Sequence, residues 1–530
     1  MRILQVVHGF PPDDWAGTEL VTLHLSQALR ARGHEVTVLT RVADPAAADF
    51  SVREEQVEGL PVVRIVNNYT QTKTFRLFYD NSFYDVPFTH LLQRLQPDVV
   101  HFQHLAHLSV SLLSLSVSLG YPTVLSLHDF FFPCYRIHLI DAQTRLCPGP
   151  ERGERCIACL QEAAPPEEVQ RRFSYMERAL QTPDLVIAPS AFLARKMLGY
   201  FPALQERLRV IPLGVKQVSC VARVRSPQTP LRILYVGLLF PPKGAHVLME
   251  ALKGLRPDTF TASFYGAMLP FWQLYADRLR EEAQGLPVSF HAAYPHDQLA
   301  AILSRHDVLV MPVICEETFS LLAREALVAG LPIIAAARGA LLDVVRDGVN
   351  GLLFEPENVA DLKRCLTRLI NEPDLVEQLR AVNPPVKTLE EYTKDIEGVY
   401  AEICAEPDRI PLLQKRLVEQ HQFSRALLRE NEQLRVATQE LNTQNASLRI
   451  ERDRLEVDKL QIGQERDCML TTVQDLRAAL AADEQRGRER DARLEAIYAS
   501  LTWKLYRGYA AVRAALCCRL LTKLKRWLVG

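Results

Sequence analysis

The segment CEETFSLLAREALVAGLPIIAA at 315–336 puts two carboxylates, Glu317 and Glu325, beside the start of a predicted helix. An apolar run ends at Pro312, a short acidic loop follows, and the helix begins near Phe319 and Ser320. The first N–H groups of a helix have no partner within it and lie at the positive end of its dipole. At Phe319, Ser320 and Leu321 they would form a phosphate site. Glu325 is spaced to accept bonds from two vicinal hydroxyls, as a ribose offers, and Glu317 is placed for a sugar hydroxyl. Two glutamates eight residues apart equally suit a solvated helix, so the pair gains weight only from its surroundings.

A second constellation is Cys134, Cys147, Cys156 and Cys159, within HDFFFPCYRIHLIDAQTRLCPGPERGERCIACL. Four cysteines ending in C-x2-C, among Gly, Pro and Arg, suit a tetrahedral structural zinc stapling a long loop. Four unrelated thiols are the competing interpretation.

These groups must be positioned by regular elements, and the apolar pattern supplies them. RILQVV (2–7), a Gly/Pro-bearing loop, a helical stretch from about Thr18 to Arg32 and EVTVLT (35–40) make a parallel strand–helix–strand unit. Further strands are predicted at VVRIV (62–66), DVVHF (98–102), TVLSLH (123–128), LVIAP (185–189) and RVIPL (209–213). LSVSLLSLSVSLG (108–120) reads as a domain helix. SPQTP (226–230) reads as a linker, and the alternation restarts with RILYVG (232–237), TASFYG (261–266), PVSFHA (287–292), VLVMP (308–312), PIIAA (332–336) and GLLF (351–354). The expected class is α/β: two Rossmann-like domains, 1–225 and 231–385, a return helix and linker at 386–408, then helical extensions. Open parallel sheets bind ligands at the carboxyl ends of their strands, so both halves should aim loops into a shared cleft.

Beyond Pro411 there is no proline. Leu427, Leu434, Leu441, Leu448, Leu455, Ile462, Met469 and Leu476 recur every seven residues, which predicts an α-helical coiled coil over 409–495 and a homodimer through it. From Ala496 to the end there are seven basic residues and no acidic one, with Trp503 and Trp527 among them. A basic amphipathic helix at 496–530 with interfacial Trp suits an anionic lipid surface; a basic helix packed on another protein is the competing reading. The lipid reading leads.

The formal net charge of −1 gives no global pull toward nucleic acid. MRILQVVHGF lacks the apolar length of a signal peptide, and no stretch reaches that of a spanning helix. The expectation is a cytoplasmic protein with mostly reduced thiols, peripheral on the inner face of the cytoplasmic membrane.

Glu317-x7-Glu325 followed by A-L-x-A-G-x-P-I-I-A (326–335) resembles the signature of glycosyltransferase family 4, retaining enzymes of the GT-B fold. The resemblance spans roughly residues 1–405. RILYVGLLFPPKG (232–244) resembles the family's strand–Gly–Arg–loop–Lys–Gly segment, with Gly237, Lys243 and Gly244 matching and Leu238 in place of Arg. WAGTELVTLHLSQALRARGHEVTVLT (15–40) resembles its Gly-rich first loop and helix, which implies that Gly17 lies near the donor sugar. LSLHD (125–129) matches the strand presenting a donor-facing histidine, His128. VIPLGV (210–215) resembles the I-P-N-G-V turn with Leu213 replacing Asn, and RGALLDVVRDGVNGLLF (338–354) matches the segment after the donor helix. Ser320 stands where many members have Gly.

The resemblance implies a nucleotide-sugar co-substrate and a glycan or lipid-linked acceptor, with His128 and Glu317 positioning the sugar and no cofactor for catalysis. Lys243, with the N–H groups at 319–321, would stabilise the leaving diphosphate without a metal, and Arg195 would compensate for Leu238. Synthesis of a cell-surface polysaccharide is the expected role. A scaffold with degenerate transferase domains and a sugar-nucleotide epimerase are the alternatives.

Overall fold

The computed structural model describes residues 1–405 except 72, 73, 162, 217–225, 227, 269, 383 and 384, together with 440, 443–475, 499, 500, 507, 510 and 511. Residues 1–420 form one compact unit and 421–530 a second.

The first unit is built on two sheets. One holds β1 (Arg2–Val6), β2 (Glu35–Val42), β3 (Val52–Val57), β4 (Leu60–Val66), β5 (Val99–Phe102), β6 (Thr123–Ser126), β7 (Leu185–Ala188) and β8 (Leu208–Val210). Its order is β3-β4-β2-β1-β5-β6-β7-β8, parallel except for the β3–β4 hairpin. The second holds β9 (Leu231–Val236), β10 (Phe260–Tyr265), β11 (Val288–His291), β12 (Val308–Met311), β13 (Ile333–Ala336) and β14 (Gly351–Phe354), in the order β11-β10-β9-β12-β13-β14, all parallel.

The predicted strands are therefore present, usually ending a residue or two early. The hairpin partner β3 was not expected: VREEQV carries three charges and lies mostly exposed at the sheet edge, so it lacks an apolar signal.

Both sheets reverse strand order beside their central strand. In the first, β2 and β5 flank β1; in the second, β10 and β12 flank β9. Crevices at such switch points lie beyond the strands' carboxyl ends. The loops after β1, β5, β6, β9 and β12 are the ones that carry the candidate chemistry.

The chain crosses back to the first sheet through the helix Leu389–Cys404, which begins with a capping box of Thr388 and Glu391. Tyr392, Ile396, Val399, Tyr400 and Ile403 share one buried face and join the core formed by Ile3, Val7, Leu25 and Val124. Glu397 takes both Arg32 and His34 at 2.8 Å. Leu213, the departure from Asn, is buried in that same core, and a Cβ on Gly214 would meet the Leu389 Cα at 2.6 Å. The substitution thus serves the packing of the return helix.

In the second unit, residues 443–475 are helical. Leu448 and Ile462, two of the heptad positions, are 40% and 45% exposed on that helix. The heptad residues Leu427, Leu434, Leu441 and Leu476, and nearly all of the basic segment 496–530, lie outside the described residues. Among the described residues, no helix is long and apolar enough to cross a membrane.

Candidate functional site

Lys243 ends a 3-10 turn (Pro241–Lys243) after β9, and Gly244 follows in the left-handed conformation, at φ 70°. The loop after β12 returns to this turn: the N–H groups of Ile314 and Cys315 donate to the Pro242 carbonyl at 2.9 and 3.2 Å. That close approach brings Lys243 Nζ into an ion pair with Glu317 Oε1, across 74 residues of sequence. Burial works against the Lys243 charge, but Glu317 beside it holds the pKa above the ordinary lysine value. The expected free cation is therefore already half of a pair.

The helix after the acidic loop is Leu321–Val328, starting just after the expected Phe319–Ser320. Ser320 adopts φ 61°, which explains why glycine would be easy there, and its Oγ accepts from the Ala323 N–H at 3.3 Å as an N-cap. Arg324 locks this entrance. Its guanidinium bonds the Phe319 carbonyl, reaches the Ser320 carbonyl at 3.2 Å and lies 3.5 Å from the centre of the Phe319 ring. Burial lowers its pKa to about 10. Sequence reasoning missed Arg324, although its place one residue before Glu325 was visible.

Glu325 lies on this helix and takes His296 Nε2 at 2.8 Å. The His296 ring is 5.5 Å from that of His24, on the first sheet's helix Gly17–Ala31. Neither histidine was anticipated, because each sits alone in the sequence.

The loop between the two glutamates is bonded to the other half of the cleft. Thr318 Oγ1 donates to the His128 carbonyl at 2.5 Å, and Ser190 Oγ donates to the Thr318 carbonyl at 2.6 Å. Lys196 Nζ meets Glu316 at 2.9 Å. Arg195 is exposed, so Lys196, its neighbour, is the cation that reaches this loop. Phe319 packs into the core of the first sheet, and a Cβ on Gly17 would find Leu321 Cδ1 at 3.8 Å. Gly17, His128, Lys243, Gly244, Glu317, Phe319, Ser320, Leu321 and Glu325 thus come to one cleft. Gly237 lies at the end of β9, its N–H bonded to Tyr265 O at 3.0 Å.

The cysteine-bearing loop after β6 enters the same cleft. The His138 ring lies tilted 5.6 Å from that of Phe240, and burial, then nearby Lys243, lowers its pKa. Ile140 belongs to the core of the second sheet, with Leu146 packed against it. The tentative zinc set is not shown: Cys134, Cys147, Cys156 and Cys159 are in no disulfide, and among the described residues no group of three or more His, Cys, Asp or Glu is disposed to hold a metal. The thiols are nonetheless neighbours, and burial raises Cys134 to about 11 and Cys156 to about 12. What fixes the loop is buried Arg172, which bonds the Phe131 and Phe132 carbonyls at 2.6 and 3.3 Å beneath Tyr79 and Tyr135.

A further cluster lines the first-sheet wall. His104 Nδ1 accepts from the Ala106 N–H at 3.1 Å, while its Nε2 meets Asp129 at 2.9 Å. The His8 ring lies 4.2 Å from that of His104, and His8 Nε2 is 3.2 Å from Glu19 Oε1. Burial raises the Glu19 carboxyl to about 7 and, more strongly than its charged neighbours, lowers His8. Burial thus disfavours charge on both partners of the pair. Because the folded pKa exceeds the unfolded one, this group favours folding below pH 4.5 and loses that contribution as pH rises through 7. Glu19→Gln should stabilise the protein at pH 8 relative to pH 4 by about 3 kcal/mol, read from denaturation midpoints at both pH values. A pH-independent gap between variant and parent would refute the shift.

Residues 15–218 match the model of Glycosyltransferase Family 4, and residues 221–383 match that of Glycosyl transferases group 1. The chain is 27% identical over 394 residues to the glycogen synthase of Mycobacterium tuberculosis strain H37Rv, covering 70% of this chain and 87% of that one. Its fold is similar to that of a sucrose-phosphate synthase from Thermosynechococcus elongatus, with a TM-score of 0.59, 19% identity, 76% of this chain and 99% of that chain covered. It is also similar to that of Anabaena Alr3699/HepE in complex with UDP and glucose, at TM-score 0.54 and 18% identity, covering 75% and 99% of the two chains.

Proposed function

We propose, for a chain that belongs to the GT-B glycosyltransferases through a family 4 domain followed by a group 1 domain, that it moves a sugar from a nucleotide-sugar donor with retention at the anomeric carbon. It is a hexosyltransferase-type enzyme. The observation that carries the finer reading is the meeting of Lys243 and Glu317, one residue from the Thr318–His128 bond that joins the two halves of the cleft.

Breaking a glycosyl–diphosphate bond builds negative charge on the leaving oxygen. Donors already fixed in place stabilise that charge without reorganising. Lys243 and the N–H groups at the start of Leu321–Val328 fill this role. Glu317 keeps the ammonium oriented and accepts from a sugar hydroxyl, and His128 positions the sugar from the opposite wall. Glu325 accepts from the ribose hydroxyls, which compete with His296 for Oε1. The acceptor enters beside His8, His104 and the loop of His138. A surface glycan or lipid-linked acceptor suits the basic segment 496–530 as a peripheral membrane contact and the heptad run as a dimer seam.

The test is nucleotide diphosphate release from a panel of UDP-, GDP- and ADP-sugars with acceptor-containing membranes. Turnover is expected with at least one donor, and Glu325→Ala should weaken donor affinity about 100-fold or more through two lost bonds to a charged acceptor. If no member of the panel bound or turned over, a scaffold with degenerate transferase domains would replace this reading.

A further inference from the structure

The wall behind His128 holds a line of buried polar side chains that the proposed chemistry does not use. Gln5, His101, Gln103 and Tyr400 are each 0% exposed. Gln5 lies on β1, His101 on β5 and Tyr400 on the return helix, so three separate elements converge here.

Their bonds run in one direction. Gln5 Nε2 donates to Tyr400 Oη at 3.0 Å, and Gln103 Nε2 donates to Gln5 Oε1 at 2.9 Å. The Tyr400 hydroxyl then has His101 Nδ1 at 2.7 Å as its acceptor, and His101 Nε2 donates to Ser126 Oγ at 2.8 Å. With its amide nitrogen donating to Gln5 and lying 3.3 Å from both ring nitrogens of His101, Gln103 turns its oxygen toward His128 Nε2 at 2.9 Å. That nitrogen must therefore carry the proton, which leaves Nδ1 as the lone-pair face.

We infer that Gln103 is a positioning residue for His128, and that Gln5 and Tyr400 set its amide so the return helix selects the imidazole tautomer. The inference rests on the donor-facing role of His128. Reversing the line would require turning two buried amides and moving two imidazole protons together. No single step achieves it without leaving a buried group unpaired, which is costly in a dry interior. Burial also lowers His101 to about 3 and His128 to about 4, so both rings stay neutral at physiological pH. A neutral Nδ1 can accept from a sugar hydroxyl; a protonated one could not. The same line joins the return helix to the cleft, so a change in how that helix seats would reach His128.

The experiment uses the full chain, labelled with 15N-histidine, with the His128 signals assigned by their loss in His128→Ala. The expected parent spectrum has a protonated Nε2 and a pyridine-type Nδ1 at His128. Gln103→Met should mix or reverse the tautomers, and Tyr400→Phe should do so partly, with melting temperatures kept as the check on folding. An unchanged His128 pattern in both variants overturns the inference. In nucleotide diphosphate release, Gln103→Met should lower kcat/KM about 10-fold, and by nothing further in a His128→Ala background, as coupled neighbours do. Additive losses overturn the inference as well. If the tautomer changed but His128→Ala left turnover intact, the donor-facing reading would fall while the positioning line stood.

Discussion

Lys243→Met is expected to lower kcat/KM for the nucleotide-sugar donor by about 10²- to 10³-fold, the loss typical of one preorganised donor to a developing oxyanion. The effect should fall on kcat more than on KM, because the charge it meets appears mainly in the transition state. Lys243 is the cation that the turn after β9 presents, since Leu238 supplies none. Its removal also strands the Glu317 carboxylate, which is 13% exposed, and that alone would cost stability. The double variant Lys243→Met, Glu317→Gln separates the two effects. It should recover the melting temperature and stay slow. Full turnover in the double variant would remove Lys243 from the mechanism. Glu317→Gln alone should keep diphosphate affinity, because the ammonium loses its competitor, and still slow turnover through lost orientation.

Gly244→Ala should destabilise the enzyme by more than about 3 kcal/mol and abolish donor turnover with it. The residue sits at φ 70°, where an L side chain already costs about 1 kcal/mol. Space is the larger obstacle, since a Cβ would lie 1.7 Å from the Pro312 carbonyl oxygen. Backbone opposes backbone there, so no rotamer relieves the overlap. The turn must move away from the loop after β12, breaking the bonds to Pro242 and separating Lys243 from Glu317. Gly330→Ala is the matched control: φ is 72°, but nothing lies within 4 Å of the added carbon. It should cost only about 1 kcal/mol. Equal melting temperatures for the two variants would show that the close approach at Pro312 carries no energy.

By itself, the sequence determined the layered architecture and pointed to the loops that carry the candidate site. Short apolar runs alternating with helical stretches specify which residues must be buried, and burial of this kind makes parallel sheets with loops at their carboxyl ends. Lys243 and the 317–325 segment follow two such runs, so their arrival at one cleft was legible. Charged β3 escaped notice because an exposed edge strand needs no apolar pattern. The four clustered cysteines suggested a metal, which the described residues do not show; Arg172 bonds the same loop, and its place in sequence gives no hint of its burial.

What only the tertiary structure decided is which charges and protons face each other. Lys243 meets Glu317 across 74 residues, Thr318 meets His128 across 190, and Gln5 meets Tyr400 across 395. The physical reason is one of range. Periodicity along the chain records each residue's preference for core or water, a local quantity. A hydrogen bond or ion pair depends on how separate elements pack within a few tenths of an ångström, and no spacing in one dimension carries that.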